Sequence, residues 1–365
     1  MTRDRTVTRD RTGSRDGLVG GAGFVVVRRG PLSVRFGMRG LVLGTLTWLG
    51  ALLVALCATT VGEYAMPLTT VLDTIAGNGT LITYDVVVNG RIPRALTGVL
   101  VGAAFGVAGG VLQRIAHNPL VSPDVIGINA GASAGAVLMI IGFGASAAWV
   151  TGGALAGAAV AAVTVYAVAY RNGFSGYRLV LVGIGVAAIL SAAATFLLSR
   201  ADVNAAYQAA VWLVGSLSGR SWPDVVPVAL GMCLLLPPML GLTRRLQVLE
   251  LGDDLARALS PRVDRTRGVL LTGAVGLSAL ATASAGPIGF VALVAPQIVR
   301  RVLRERSPGL LACAGTGALT VVTADLLART VFAPRELPVG VLTALVGAPV
   351  LIALLVRGNR IGASG

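Results

Sequence analysis

The stretch Ala95-Leu-Thr-Gly98-Val-Leu-Val-Gly102-Ala-Ala-Phe-Gly106-Val-Ala-Gly-Gly110-Val-Leu112 decides the fold class. It carries no charge, and the run to Ala116 is about the ~20 residues a helix needs to cross a bilayer. Four glycines recur every fourth residue, which places them along one helix face. Such a face lets another backbone approach closely, the usual device by which helices associate in a membrane. Similar apolar runs fall at about 41–61, 125–146, 148–169, 179–199, 225–243, 268–285, 288–303, 309–332 and 338–356, which makes ten. The expectation is an all-α, polytopic membrane protein of about ten transmembrane helices, with a short partial helix at 203–218.

Composition agrees. Of 365 residues, 55% are hydrophobic and 13% charged, with a mean hydropathy of +0.81. A soluble domain carries about 25% charged residues, so an ordinary cytosolic enzyme is excluded. Aromatic residues are 5%, with 49 Gly, a mix that suits close helix packing rather than an aromatic-girdled barrel. The net charge is +14, yet the 30 basic residues are all Arg. Without Lys the chain can hold no Walker A phosphate loop and no lysine Schiff base, so ATP hydrolysis in any system it serves belongs to another subunit. His117 is the single His, and Cys57, Cys233 and Cys313 lie far apart in apolar stretches. No metal cluster or disulfide framework follows from that inventory.

Residues 1–37 differ from the rest. They open on a near-repeat of Thr-Arg-Asp-Arg-Thr, have little to bury, and read as a disordered Arg-rich tail. A ten-helix domain follows over 38–360, with a short C-terminal tail at 361–365. With the amino terminus inside, 24 of the 30 Arg fall on the cytoplasmic side; Arg91, Arg94, Arg200, Arg220, Arg329 and Arg335 fall outside. The positive-inside rule therefore favours both termini in the cytoplasm. Two Pro-broken stretches, Asn118 to Gly131 and Gly286 to Pro296, sit at matching places in spans 2–5 and 7–10, as in an inverted repeat.

Several features invite chemical readings. Gly98, Gly102, Gly106 and Gly110, joined by Gly127, Gly131 and Gly135, suit either a pathway wall or ordinary close packing, and packing is preferred at each position taken singly. Gly131-Ala-Ser133-Ala-Gly135 matches a GxSxG nucleophile pattern, but its sole candidate base, His117, stands before a Pro-Leu turn in a cytoplasmic loop. An intramembrane serine protease is rejected on that ground. Asp325 is the main acid within a span. Arg329 lies four residues on, so a self-satisfied pair is preferred over the proton- or sodium-coupled carrier that an intramembrane acid suggests.

The segment joining spans 6 and 7 is the most informative: Glu250-Leu251-Gly252-Asp253-Asp254-Leu255-Ala256-Arg257-Ala258-Leu259-Ser260-Pro261. Asp253 and Asp254 suit the first turn of a short helix over about 252–260, and Pro261 stops it. Leu251, Leu255, Ala258 and Leu259 share one face. A helix of some eight residues is only ~12 Å long and does not hold alone, so it must rest on something, with a partner preferred over the membrane domain itself.

From about 40 to 357 the chain resembles the FecCD/BtuC family of ABC-importer permeases. The motifs are Arg91-Ile-Pro-Arg94; Gln113 with Asn118-Pro119-Leu-Val-Ser-Pro-Asp-Val-Ile-Gly127; Trp212-Leu-Val-Gly-Ser-Leu-Ser-Gly219; Leu251 to Leu259; Ala285-Gly286-Pro287-Ile-Gly-Phe-Val-Ala-Leu-Val-Ala-Pro296; and Glu336-Leu-Pro-Val-Gly340. Ser122-Pro-Asp124 and Arg171-Asn-Gly173 look most like a ferric-enterobactin permease subunit. The resemblance implies a ferric-siderophore permease, with vitamin B12 or haem as alternative cargo, in the plasma membrane of a bacterium. It also implies a second permease subunit (identical or paralogous), two ABC ATPase subunits holding ATP and magnesium, and an external siderophore-binding protein. No nucleic acid, no catalysis and no cofactor in this chain are implied. Glu250, Leu251, Gly252, Asp253, Asp254, Ala256, Arg257 and Leu259 would meet the ATPase, and Arg91, Arg94 and Arg329 carboxylates of the binding protein. Asn118, Pro119, Gly286 and Pro287 would join the four span-2 glycines in packing or pathway. The chain departs from the family in Gln297, where a His is usual, and in Ser260-Pro261, where the coupling helix usually ends in Leu-Gly.

Overall fold

The computed structural model describes residues 17–21, 24–29, 32–62, 66–169, 176–260, 262–304, 309–331 and 336–362. Ahead of the membrane body, β1 (Gly17–Gly21), β2 (Phe24–Arg29) and β3 (Leu32–Gly37) form an antiparallel meander in the order β1-β2-β3. These strands fall within the stretch 1–37 expected as a tail, of which residues 1–16 lie outside the described residues. The β-branched run Val25 to Val27 supplies strand propensity, and two residues separate the Gly21–Phe24 and Arg29–Leu32 pairs, the spacing of tight hairpins.

Helices make the remainder. They are α1 (Met38–Thr60), α2 (Leu68–Ile75), α3 (Leu81–Tyr84), α4 (Ile92–Ile115), α5 (Ile128–Val137), α6 (Ala147–Ala169), α7 (Gly176–Arg200) and α8 (Val203–Val214). After these come α9 (Trp222–Gly241), α10 (Thr243–Leu249), α11 (Asp253–Leu259), α12 (Val263–Ala285), α13 (Val291–Leu303), α14 (Leu310–Thr330) and α15 (Val339–Gly362). Local chemistry sets several starts. Asp202 caps α8 by accepting from the Asn204 and Ala205 amides at 3.0 Å, and Ser221 with Asp224 forms a capping box on α9.

Every expected span contains a helix, but among the described residues seven are long and apolar enough to cross a membrane. One of them is longer than its apolar run: a π-helical stretch, Asp85–Arg91, joins α3 to α4 as a continuous Leu81–Ile115 helix. The runs at 125–146 and 288–303 shrink to Ile128–Gly142, which includes a π-helical end at Leu138–Gly142, and to the 13-residue α13. The turns missing at their starts are non-helical backbone largely enclosed by other helices, the condition under which such backbone is tolerated at membrane depth. Positive φ marks both breaks, at Gly127 (89°) before α5 and at Phe290 (67°) before α13. α15 runs on to Gly362, so the expected tail at 361–365 begins as helix.

The helices of the two halves group alike. α5, α6 and α7 pack on one another, as do α13, α14 and α15, while α4 packs on α14 and α12 packs on α6. The leading helices of the two halves, α4 and α12, meet at the centre. α4 is enclosed along nearly all its length, with every residue from Val101 to Ile115 buried.

Candidate functional site

The glycine stripe resolves as packing. A Cβ at Gly102 would fall on the Gly317 carbonyl, and one at Gly106 on the Cys313 carbonyl, so α4 and α14 touch backbone to backbone there. Gly98 and Gly110 are looser, at 3.1 Å from Leu217 Cδ1 and 3.3 Å from Cys313 Sγ. Gly109, which no four-residue spacing picks out, abuts the Ala292 carbonyl of α13. Gly131 and Gly135 close in the same way on Gly157 and Gly153 of α6. Gly286 (φ 77°) and Gly215 (φ 75°) cross where the Trp212–Gly219 motif meets the α12–α13 break, the Ser216 amide donating to Ala285 O at 2.9 Å. Pro287 lies at the same crossing, its carbonyl beside Gly215.

At the amino-terminal end of α4, charges cluster. Arg94 donates through Nε (3.2 Å) and Nη2 (2.8 Å) to Asp325 of α14 and through Nη1 to Glu336 (2.9 Å). Arg329 Nη2 reaches Asp325 Oδ2 at 3.3 Å, and its Nη1 donates to Val61 O at 3.3 Å. Arg91, from the π-helical stretch, donates to Thr59 O at 2.7 Å. Glu336 also accepts from Ser218 Oγ at 3.3 Å. The expected Asp325–Arg329 pair is therefore present, but Arg94 is the stronger partner. Asp325 is neutralised twice over, leaving little for an ion-coupled mechanism to use. Arg94 and Arg329, expected to meet an outside protein, are engaged within the chain. Arg335 lies outside the described residues, as do Arg171 to Gly173.

The other end of α4 meets the segment between α9 and α12. Arg114, its side chain 1% exposed, donates through Nε to Glu250. His117 Nε2 lies 3.0 Å from Leu249 O, so the ring engages the α10 end rather than Ser133. Gln113 donates to Leu293 O at 3.1 Å, and Gln297 donates to Gln113 Oε1 at 2.8 Å and to Pro119 O at 3.0 Å. Gln297 thus ties α13 to α4 and to the Asn118-Pro119 turn. Asn118 closes that turn by accepting from the Leu120 amide at 2.9 Å.

The expected coupling helix is α11, seven residues beginning at Asp253 after Gly252, whose φ of 98° suits Gly alone. Asp253 pairs with Arg267 of α12, and Ala256 is fully buried, so one side rests on the membrane domain. The other side does not. Leu251, Leu255 and Leu259 are 54%, 57% and 64% exposed, and Asp254, Arg257 and Ala258 are exposed beside them. Single exposed apolar residues need no explanation, but two on one face of an anchored helix with a third just ahead of it mark an interaction surface. Pro261 lies outside the described residues. Sequence reasoning placed Arg114 and Arg267 only as cytoplasmic charges; their acidic partners are set by the fold.

Residues 50–357 match the model of the FecCD transport family. The chain is 43% identical over 275 residues to the ferric enterobactin transport system permease protein of Escherichia coli K12, covering 75% of this chain and 83% of that protein. It is 38% identical over 297 residues to the iron(3+)-hydroxamate import system permease protein of Bacillus subtilis 168, covering 79% and 88%. Among solved structures, one described as an inward-facing conformation of a metal-chelate type ABC transporter superposes with a TM-score of 0.76 at 27% identity, over 87% of this chain and 99% of that one.

Proposed function

The chain belongs to the FecCD transport family, and from that premise we propose that it is the membrane permease subunit of an ABC importer that carries ferric siderophores inward. The substrate class rests on its relatives, one serving ferric enterobactin and the other iron(3+)-hydroxamates. The observation that carries the mechanism is α11, an anchored helix whose Leu255 and Leu259 side chains, with Leu251 just ahead of it, are exposed among the described residues. An ATPase subunit seats on that face, with Arg257 and Asp254 at its rim, and ATP binding there moves the segment. The end of α4 bearing Arg114 is cytoplasmic, the end bearing Arg94 is external, and both termini are inside, as the Arg distribution favours. A second permease subunit completes the pathway.

The external binding protein docks at the Arg94 end. Among the described residues Arg94 and Arg329 share Asp325 and Arg94 also takes Glu336, so the contact we read here is carboxylates of the binding protein meeting the rim of that cluster, setting docking register and encounter rate more than affinity.

The test is uptake of radiolabelled ferric enterobactin by cells lacking the gene, complemented with wild type or with Leu255→Glu plus Leu259→Glu. Wild type restores uptake; the double variant reaches the membrane but takes up nothing and retains no ATPase on purification. Equal uptake by both would remove α11 as the docking helix. A deletion without effect on ferric-siderophore uptake would remove the substrate class, and cobalamin and haem would then be assayed.

A further inference from the structure

The two broken helices begin alike, and one residue serves both. α5 starts after Gly127 (φ 89°) and α13 after Phe290 (φ 67°), and neither residue has a side chain that caps its helix. Asp124 closes the turn into α5 with its backbone, its carbonyl accepting from the Gly127 amide at 3.2 Å. Its carboxylate accepts from the Phe290 amide, at the start of α13. A negative group is favoured at that place, where a helix presents orphan N–H groups and the positive end of its dipole. Asn129, the second residue of α5, donates to the same carboxylate, and Thr282 Oγ1 lies 2.8 Å from Asn129 Oδ1. This run of groups touches the α12–α13 break on both sides, at Thr282 before it and at Phe290 after it. Among the described residues no arginine pairs with Asp124, so hydrogen bonds rather than a salt bridge fix its direction.

Phe290 is where the arrangement matters. A bulky residue at positive φ is an outlier, and its free-energy cost must be offset by its surroundings. At α5 a glycine meets the same demand freely. At α13 the Asp124 carboxylate holds the amide instead. Each break also bears on a long helix of its own half. A Cβ at Gly183 of α7 would stand 2.7 Å from Ile126 Cα, and one at Gly347 of α15 would fall on the Phe290 Cβ. A Phe290 that left the left-handed region would therefore shift the surface on which α15 packs. We propose that Asp124 is a positioning residue: its carboxylate, oriented by Asn129, holds Phe290 in the conformation that starts α13 and so sets α13 and α15 of one half against α5 and α7 of the other. This adds to the permease reading a residue remote from the docking surfaces; of the two measurements below, uptake rests on that reading and hydrogen exchange does not.

The test uses the full complex, recovered in nanodiscs from the native host. Asp124→Leu is close in size but has no acceptor, and Asp124→Asn keeps one acceptor oxygen. Hydrogen exchange over residues 286–294 reports local opening at the break, with 313–320 of α14 as reference. In Asp124→Leu, exchange over 286–294 quickens about tenfold, the loss of one hydrogen bond to a charged group, while 313–320 keeps its rate. Asp124→Asn exchanges close to wild type. Uptake of radiolabelled ferric enterobactin per permease molecule falls in Asp124→Leu and is largely kept in Asp124→Asn. Unchanged exchange over 286–294 in Asp124→Leu overturns the proposal. So does equal exchange in the two variants, because the acceptor oxygen would then be immaterial, and so does full uptake by Asp124→Leu. If Asp124→Leu fails to accumulate, Asn129→Ala is read in its place; it frees the carboxylate from its orienting donor and speeds exchange over the same stretch, and an unchanged rate there is equally fatal. Wild-type cells that take up no ferric enterobactin would strike the substrate reading alone and leave the exchange result standing.

Discussion

The two ends of α4 solve the problem of a buried arginine differently. At one end Arg94 shares Asp325 with Arg329 and takes Glu336 as a second acid, all within the framework of α4, α14 and the approach to α15. At the other, Arg114 pairs with Glu250, which belongs to a segment whose far side is exposed among the described residues. The first arrangement is a closed knot: moving any member strands another. The second is a tether from the enclosed centre to a surface element. The knot braces helices against one another, whereas the tether joins the enclosed helix to a segment at the surface.

The largest effect expected from this contrast is Asp325→Ala. Removing the acid shared by two largely buried guanidiniums costs about 3–5 kcal/mol, the range for stripping one partner from a buried pair. It is measured as a drop in the thermal unfolding midpoint of purified permease. Glu250→Ala destabilises less, by about 1–3 kcal/mol, because Glu250 is 21% exposed and water reaches its place beside Arg114. A larger loss in Glu250→Ala than in Asp325→Ala would reverse the assignment of knot and tether.

Between the ends, the glycine stripe offers a graded comparison. Gly106→Ala forces a methyl onto the Cys313 carbonyl, and overpacking of this kind costs about 1–3 kcal/mol. Gly110→Ala meets only the Cys313 thiol at 3.3 Å, which a small side-chain adjustment relieves, so its cost is smaller. The pair is read from the midpoints of the two variants side by side, and an equal loss would mean that α4 and α14 are not held backbone to backbone. The smallest effect on stability belongs to Leu255→Asn, within about 0.5 kcal/mol as for surface substitutions generally. A midpoint shift of several degrees there would mean that Leu255 is already covered by the chain itself.

Much of this was readable along the chain. Helix existence was legible because apolar runs of bilayer length admit few other structures. The Asp325–Arg329 pair was legible because i and i+4 lie on one face whatever surrounds them. The edges of α11 came within a residue or so of 252–260, since Gly252, the paired aspartates and Pro261 act locally. The broken starts of α5 and α13 were signalled by their prolines, but not their length, which depends on what encloses them. Strand pairing such as that of Val25 to Val27 depends on neighbours across the sheet, which composition alone does not supply.

By itself, then, the sequence determined membrane residence, the all-helical class of the membrane body, the uneven distribution of charge and the presence of a short amphipathic connector, all properties of local composition and spacing. Only the tertiary structure decided which charges meet. Arg94 and Asp325 are 231 residues apart, and Arg114 and Glu250 are 136 apart. It likewise decided that the stripe on α4 seats against α14 rather than lining a passage. The reason is physical: a glycine or an arginine advertises what it can accommodate, but the partner it accommodates is supplied by distant chain, brought there by the packing of every helix between them.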